Sequence, residues 1–479
     1  MFNRRNLEYM NAFFENKRAV QNLYLVIGCL VFAALFIMAG RFYVERVCLA
    51  DTAYRMVLMI ITKRPAIFPL RFGAFIPQIL PLSAIWLHAS LKTVMIINSL
   101  SFVILFFTVY IIAFRLCRSS ILFFIIPAYL IMLTNEEFYW PQSEYQQGMI
   151  WLCLYAVLLF ERKFETYPIR FFFLIHALLI FWIQTFHLLI FIPLCFLIIY
   201  FYSFYSLLFT KRFFIHISIC TVSFIVRLIE GMNDSYESHK LNLGRSFAKH
   251  LPHFFSLGSV REFWHKLPFE YLGYAIVFII AFSWLITSKK YLMAILLLCF
   301  SVFYWLLIIM TCTEIGRFYT EYLMLPLGFI AILPVVVEVI PRLQNVYIIS
   351  IVLTFCIIRI TIIYHTHIDY TKRLDIYQTY FNYINMNKLN GVFVDNQLID
   401  QKKAIMTWGS GYESILISSL KSPDSCRVVQ IDNDPNKYNY VLSCDTCLVT
   451  IYGVWDKSQL PNEYFKLGGG KYDIIKKKL

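Results

Sequence analysis

A small set of acids and cations stands where this chain otherwise avoids charge. Asp51, in "RVCLADTAYRMVLMIIT", is the only carboxylate between Glu45 and Glu136. An acid with no acidic neighbour stays ionised at neutral pH and is suited to taking a proton from a hydroxyl. A second acidic point is Glu136-Glu137 in "TNEEFYWPQSEYQQ". The cations are Lys63, Arg64 and Arg71 in "TKRPAIFPLRFGAF", and Arg317 in "TCTEIGRFYTEY", which also carries Tyr319 and Glu321. A guanidinium grips a phosphate with two N–H donors. A lone base beside phosphate-binding cations fits transfer of a group from a phosphate-linked donor to a hydroxyl, the cations stabilising the phosphate that leaves.

Each residue also has a plainer reading. Asp51 could cap a helix over Thr52 to Thr62. Lys63, Arg64 and Arg71 could anchor the chain at a lipid headgroup layer. Arg317 could pair with Glu314 or Glu321. His187 could be a hydrogen-bonded structural histidine rather than a catalyst. Arg227 and Arg359, near span ends, are expected to snorkel.

The elements that must position these residues are membrane helices. Of 479 residues, 59% are hydrophobic and 15% charged, and the mean hydropathy is +0.64, which excludes an ordinary soluble protein. The net charge of +14 is read as a topology signal in short basic loops, with no nucleic-acid partner implied. The stretch "MFNRRNLEYMNAFFENKRAVQN" is too long and mixed for a signal-peptide n-region, so the first span is expected to remain as an anchor.

With the amino-terminus cytoplasmic, about eleven spans satisfy the positive-inside rule. Span one covers Leu23 to Met38, span two Thr93 to Phe114, and spans three and four Ser120 to Leu133 and Gly148 to Phe160. The run Phe171 to Tyr202 breaks at Gln184-Thr185-Phe186-His187 into spans five and six. Span seven covers Phe213 to Leu228, and span eleven Val346 to Tyr364. The segment Ala74 to Ala89 is expected as a surface helix, since counting it as a span would invert every later loop. Residues 1–364 then form the membrane domain, with a first outer loop over 43–92, and 365–479 an extracytoplasmic α/β domain.

In that tail "GVFVDN", "AIMTWGS", "RVVQID", "CLVTIYG" and "YDIIKKK" read as strands and "YESILISSL" as a helix. The glycines of "TWGSGYESIL" mark a strand-to-helix turn that could bind an anion or be a plain tight turn. Among Cys426, Cys444 and Cys447, two are expected to form a disulfide outside the cytoplasm.

This order resembles the integral-membrane GT-C glycosyltransferases, the superfamily of protein O-mannosyltransferases and the lipid A aminoarabinose transferase. The likeness rests on Asp51 soon after span one, the helix Thr52 to Thr62, the surface helix in "IPQILPLSAIWLHASL", the segment "GRFYTEYLMLPL", and the outer carboxy-terminal domain. The resemblance implies an enzyme that moves a sugar from a polyprenyl-phosphate donor to a lipid, glycan or protein acceptor, with the loop-one acid as base, in a bacterial inner membrane. Many members pair two acids in loop one. Asp51 stands alone, so a divalent metal is not supported there, although Glu136 or Glu137 could supply a second acid. A polysaccharide polymerase or ligase, or a transporter or flippase of lipid-linked saccharide, is the alternative; a transporter would place ionisable residues deep in broken spans.

Overall fold

A computed structural model describes residues 17–67, 71–117, 120–141, 143–161, 168–235, 237–238, 247–311, 317–343 and 346–477. The helices used below, in chain order, are α1 (Lys17–Arg41), α2 (Ala50–Thr62), α3 (Leu91–Leu116), α4 (Glu144–Phe160), α5 (Lys211–Asn233), α6 (Gly258–Lys266), α7 (Tyr291–Thr311), α8 (Arg317–Pro334), α9 (Val346–Met386) and α10 (Ser410–Ser419). Among the described residues, six helices are long and apolar enough to cross a membrane: α1, α3, α5, α7, the run Glu321–Arg342 that begins in α8, and α9. This is a helical membrane protein. Other expected spans are shorter helices, such as Ile125–Met132, α4, Ile169–Gln184, Phe191–Phe204 and Leu272–Thr287.

Lipid gives packed helices no hydrophobic drive towards one another, so close approach and internal hydrogen bonds must hold the bundle together. At the α1–α3 contact a Cβ on Gly28 would lie 2.2 Å from the Tyr110 hydroxyl oxygen. Because that space is empty of side chain, Tyr110 donates to the carbonyls of Tyr24 and Leu25 at 3.0 and 3.1 Å. The connections sort into two ends. At one, the Gln21 amide donates to the carbonyls of Cys117 and Ser120, and Lys290 and Arg342 hold the buried Glu338. The opposite end carries Asp51 and the acidic loops.

The segment expected as a surface helix is a 3-10 turn, Phe72–Gln78, running into a helix Ile79–Trp86. Phe72, Ile79, Leu80 and Trp86 are exposed, an apolar face of the kind that lies on a membrane interface. Gln78 ties it back to loop one through Ala66 N–H at 2.7 Å and Ala66 O at 3.0 Å.

The longest helix among the described residues, α9, runs straight through the expected boundary between Tyr364 and His365. At about 1.5 Å per residue its 41 residues reach roughly 60 Å, about twice a hydrocarbon core. Its far half carries the tail, so helix rather than linker joins the two parts. The tail sheet has the order β2-β1-β5, with β1 (Gly391–Asp395), β2 (Val428–Asp432) and β5 (Tyr472–Ile475) all parallel. A separate antiparallel hairpin pairs β3 (Cys447–Thr450) with β4 (Gly453–Asp456). The expected strand "AIMTWGS" is instead irregular chain leading into α10, because the chain must turn there to place α10 against β2. Cys444 and Cys447 form the disulfide, and Cys426 is a free buried thiol.

Candidate active site

Helix α2 carries Asp51. Met56, Val57, Met59 and Ile60 are buried while Leu58 and Ile61 are half-buried, and Lys63 ends the helix in a left-handed conformation, φ 52°. Asp51 is not its cap. The N-cap position is Leu49, which has no side-chain acceptor, and Asp51 lies in the first turn, where a carboxylate is favoured by the helix dipole. The acceptor comes from the tail: Glu413 Oε1 takes the Ala50 N–H at 2.7 Å.

One turn along α2, at a spacing that puts two side chains on one face, Arg55 forms an ion pair with Glu144 at the start of α4. The other carboxylate oxygen of Glu144 accepts from Arg71 at 3.1 Å. Arg71 in turn binds Glu237 at 2.5 Å. Arg55, Arg71 and Glu144 are buried, whereas the Glu237 side chain is 19% exposed. Burial works against the ionised form of Glu144, but the two guanidiniums outweigh it and hold its carboxyl below the usual carboxylate range. The same reasoning applies to Arg71: burial opposes its charge, and Glu144 and Glu237 raise its pKa in spite of it. Against this cluster His187 packs its ring on Tyr145, centroids 4.6 Å apart, and its Nδ1 accepts from Leu189 N at 3.2 Å. That hydrogen bond starts a 3-10 turn, the structural role considered for it.

A second ionised cluster lies at the same end. Lys266, at the end of α6, stands 3.5 Å from Glu136, 3.4 Å from Glu262 and 3.5 Å from Glu270. Burial opposes its charge, and Glu136, Glu321, Glu270 and Glu262 together raise its pKa. Glu321 accepts the N–H groups of Asn135 and Glu137 at 2.6 and 3.0 Å. Carboxylate oxygens of Glu136, Glu270 and Glu321 lie within 4.8 Å of one another, a spacing that could hold a hard cation, and Lys266 supplies positive charge there.

The Glu136–Glu137 loop is therefore interior rather than solvent-facing. Glu137 is fully buried, and burial pushes its carboxyl well above the ordinary range, with Glu321 and Glu144 adding to the effect. Arg359 is buried as well, and it does not snorkel: it donates to Ile131 O, Thr134 O and Glu270 O at 2.8, 3.1 and 2.9 Å, and to Asn135 Oδ1 at 2.6 Å. Arg227 likewise turns inward, to Gln184 O at 3.2 Å and Glu230 at 2.7 Å. A guanidinium can satisfy several carbonyls at once, which is why both stay inside.

Of the sequence candidates, the structure brings Arg71 to the Asp51 end of α2 through Arg55 and Glu144, and it joins Glu136 with Glu321. Lys63 and Arg64 are exposed at the other end of α2, about 18 Å from Asp51 by helical rise. The side chains of Arg317 and Tyr319, and the whole of Glu314, lie outside the described residues. At "TWGSGYESIL" the glycine serves a close backbone approach: a Cβ on Gly409 would lie 2.4 Å from Ala50 Cα. Sequence reading missed Arg55, Glu144, Glu237, Lys266, Glu262 and Glu270. Arg55 was findable, since it stands four residues after Asp51, as was Glu144, an acid opening an apolar helix. Comparison with family models, with curated proteins and with solved structures finds no match to this chain.

Proposed function

We propose that the chain is a membrane glycosyltransferase of the GT-C kind, crossing the membrane about eleven times, and that it moves a sugar from a polyprenyl-phosphate donor to an acceptor hydroxyl on the extracytoplasmic face. The observation that carries this reading is the sequence of groups Asp51, Arg55, Glu144, Arg71. An acid shares a helix face with one arginine, and a single buried glutamate joins that arginine to a second.

In this reading Arg71, with Arg55 behind it, holds the donor phosphate. Glu237, the most exposed member of the cluster, occupies the anion position on Arg71 until phosphate displaces it. Asp51 takes the proton of the acceptor hydroxyl as its oxygen bonds to the anomeric carbon. The bond from that carbon to the phosphate oxygen breaks, and the electron pair leaves on polyprenyl phosphate, whose charge the arginines stabilise. The arginine pair replaces Lys63 and Arg64 as the phosphate-binding set. The Glu136–Glu321 cluster has an excess of acid and would repel a phosphate.

The test uses the full chain in lipid nanodiscs with a labelled polyprenyl-phosphate sugar and a panel of alcohol acceptors. Release of polyprenyl phosphate coupled to acceptor labelling supports the reading. Movement of intact donor between leaflets without cleavage would instead favour the flippase.

A further inference from the structure

The helix that carries Asp51 is held by a group 363 residues away in sequence. Its first amide, Ala50 N–H, donates to Glu413 Oε1 at 2.7 Å, and Ala50 sits at φ 34°, a left-handed conformation that costs an alanine energy and persists only when its surroundings impose it. The surroundings here are specific. The other oxygen of Glu413 receives hydrogen bonds from Arg373 and Tyr377. Arg373 also donates to Cys48 O at 2.9 Å and to Ala404 O and Met406 O at 3.0 and 2.9 Å. One guanidinium from α9 thus binds the strained segment before α2 and the tail segment before α10. Gly409 lets the backbones meet, since any Cβ there would fall 2.4 Å from Ala50 Cα. Ala50, Arg373 and Glu413 are all buried.

We propose that the tail domain positions the candidate base: Glu413, locked by Arg373 and Tyr377, supplies the missing cap of α2 and fixes its first turn, and so fixes where Asp51 stands. Glu413 is a positioning residue that acts through Ala50. A negative group at this helix end satisfies an orphan N–H and favours the helix dipole. A solvent-exposed cap would do both without ordering a domain; what the buried latch adds is that α2 holds its first turn only while the tail is docked. The inference deepens the glycosyltransferase reading and rests on it for the role of Asp51.

The experiment compares wild type, Glu413→Gln and Tyr377→Phe in nanodiscs by amide hydrogen exchange and by transfer kinetics. Tyr377→Phe removes one hydrogen bond and leaves the ion pair, so it remains informative should Glu413→Gln fold poorly. Glu413→Gln makes the acceptor on Ala50 N–H neutral and sets an NH2 against the Arg373 and Tyr377 donors, so it is expected to speed exchange over residues 50–53 by roughly tenfold, the weakening of a charge-assisted bond, with α3 and α7 still protected. Turnover is expected to fall about 10- to 100-fold at unchanged donor KM, the effect of a misplaced reacting group. Adding Glu413→Gln to Asp51→Asn should cost nothing further, because the two act as one unit. Tyr377→Phe should move both readouts in the same direction by less. Unchanged exchange at residues 50–53 in both variants, or losses from Glu413→Gln and Asp51→Asn that multiply independently, would overturn the proposal. Should the wild type transfer no sugar from any polyprenyl-phosphate donor, the glycosyltransferase reading falls alone, and the exchange arm still decides whether Glu413 holds Ala50.

Discussion

Two buried ionised clusters lie at one end of this bundle, and they differ in charge balance rather than in burial. Around Arg71, two guanidiniums face Glu144 and Glu237, and the second acid is partly exposed. Around Lys266, one ammonium faces Glu136, Glu262 and Glu270, with Glu321 adding to the field. Removing Glu237 from the first leaves one positive charge in excess, ready for an anion. Removing any one acid from the second still leaves acid in excess. Burial alone would have marked both as sites of equal interest, and only the sign of the remaining charge separates a seat for phosphate from a set of groups that pins loop to bundle.

The largest effects come from unpairing either cluster. Glu144→Ala should destabilise the protein by about 3–5 kcal/mol, because it removes the buried carboxylate that Arg55 and Arg71 share, and thermal unfolding in detergent measures it. Lys266→Met should destabilise by a similar order by stranding several acids, with donor KM unchanged in the protein that folds. A large KM change there would erase the distinction between the clusters.

Next comes Arg71→Lys. A compact ammonium cannot reproduce the guanidinium's forked contacts, so donor KM should rise about tenfold, measured by initial rates against donor concentration. Glu237→Gln is expected to act in the opposite direction and more weakly, lowering donor KM a few-fold by removing the acid that competes with phosphate.

The smallest effect is in pH. The folded-state pKa of Glu144 is depressed, so its contribution is present above the unfolded carboxylate value, about 4.3, and is lost as pH falls through the folded value. Lys266 is raised, so its contribution is present below about 10.4 and is lost as pH rises through its folded value. Acid should therefore loosen the Arg71 cluster and alkali the Lys266 cluster. Thermal scans of wild type and Glu144→Gln across pH 3–6 check the first of these, since the variant lacks the group that titrates.

What could be read in the sequence was local. The helix expected from Thr52 to Thr62 is present over Ala50–Thr62, the hairpin break at Gln184 to His187 is where the helix ends, and most of the tail strands lie where alternation put them. Partners distant in the chain were not legible. Nothing in "YESILISSL" indicates that Glu413 meets Ala50, and nothing in "REFWHK" indicates that Lys266 meets Glu136, because such pairs depend on which helices become neighbours. The alternative of Asp51 as a cap gives way for the same reason: the local rule is sound, but Glu413 of the tail fulfils it. Length also misled at Tyr364, where hydropathy ends and the helix does not.

The most direct test of Asp51 as the base follows from its not being the cap. Asp51→Asn leaves Glu413 on Ala50 and keeps the side-chain size, so donor binding and folding should match the wild type. In a single-turnover experiment with saturating polyprenyl-phosphate sugar, the rate of sugar transfer should fall by roughly 10²–10⁴-fold, the usual contribution of a general base. Transfer by Asp51→Asn at the wild-type rate, from protein that binds donor equally well, would contradict it.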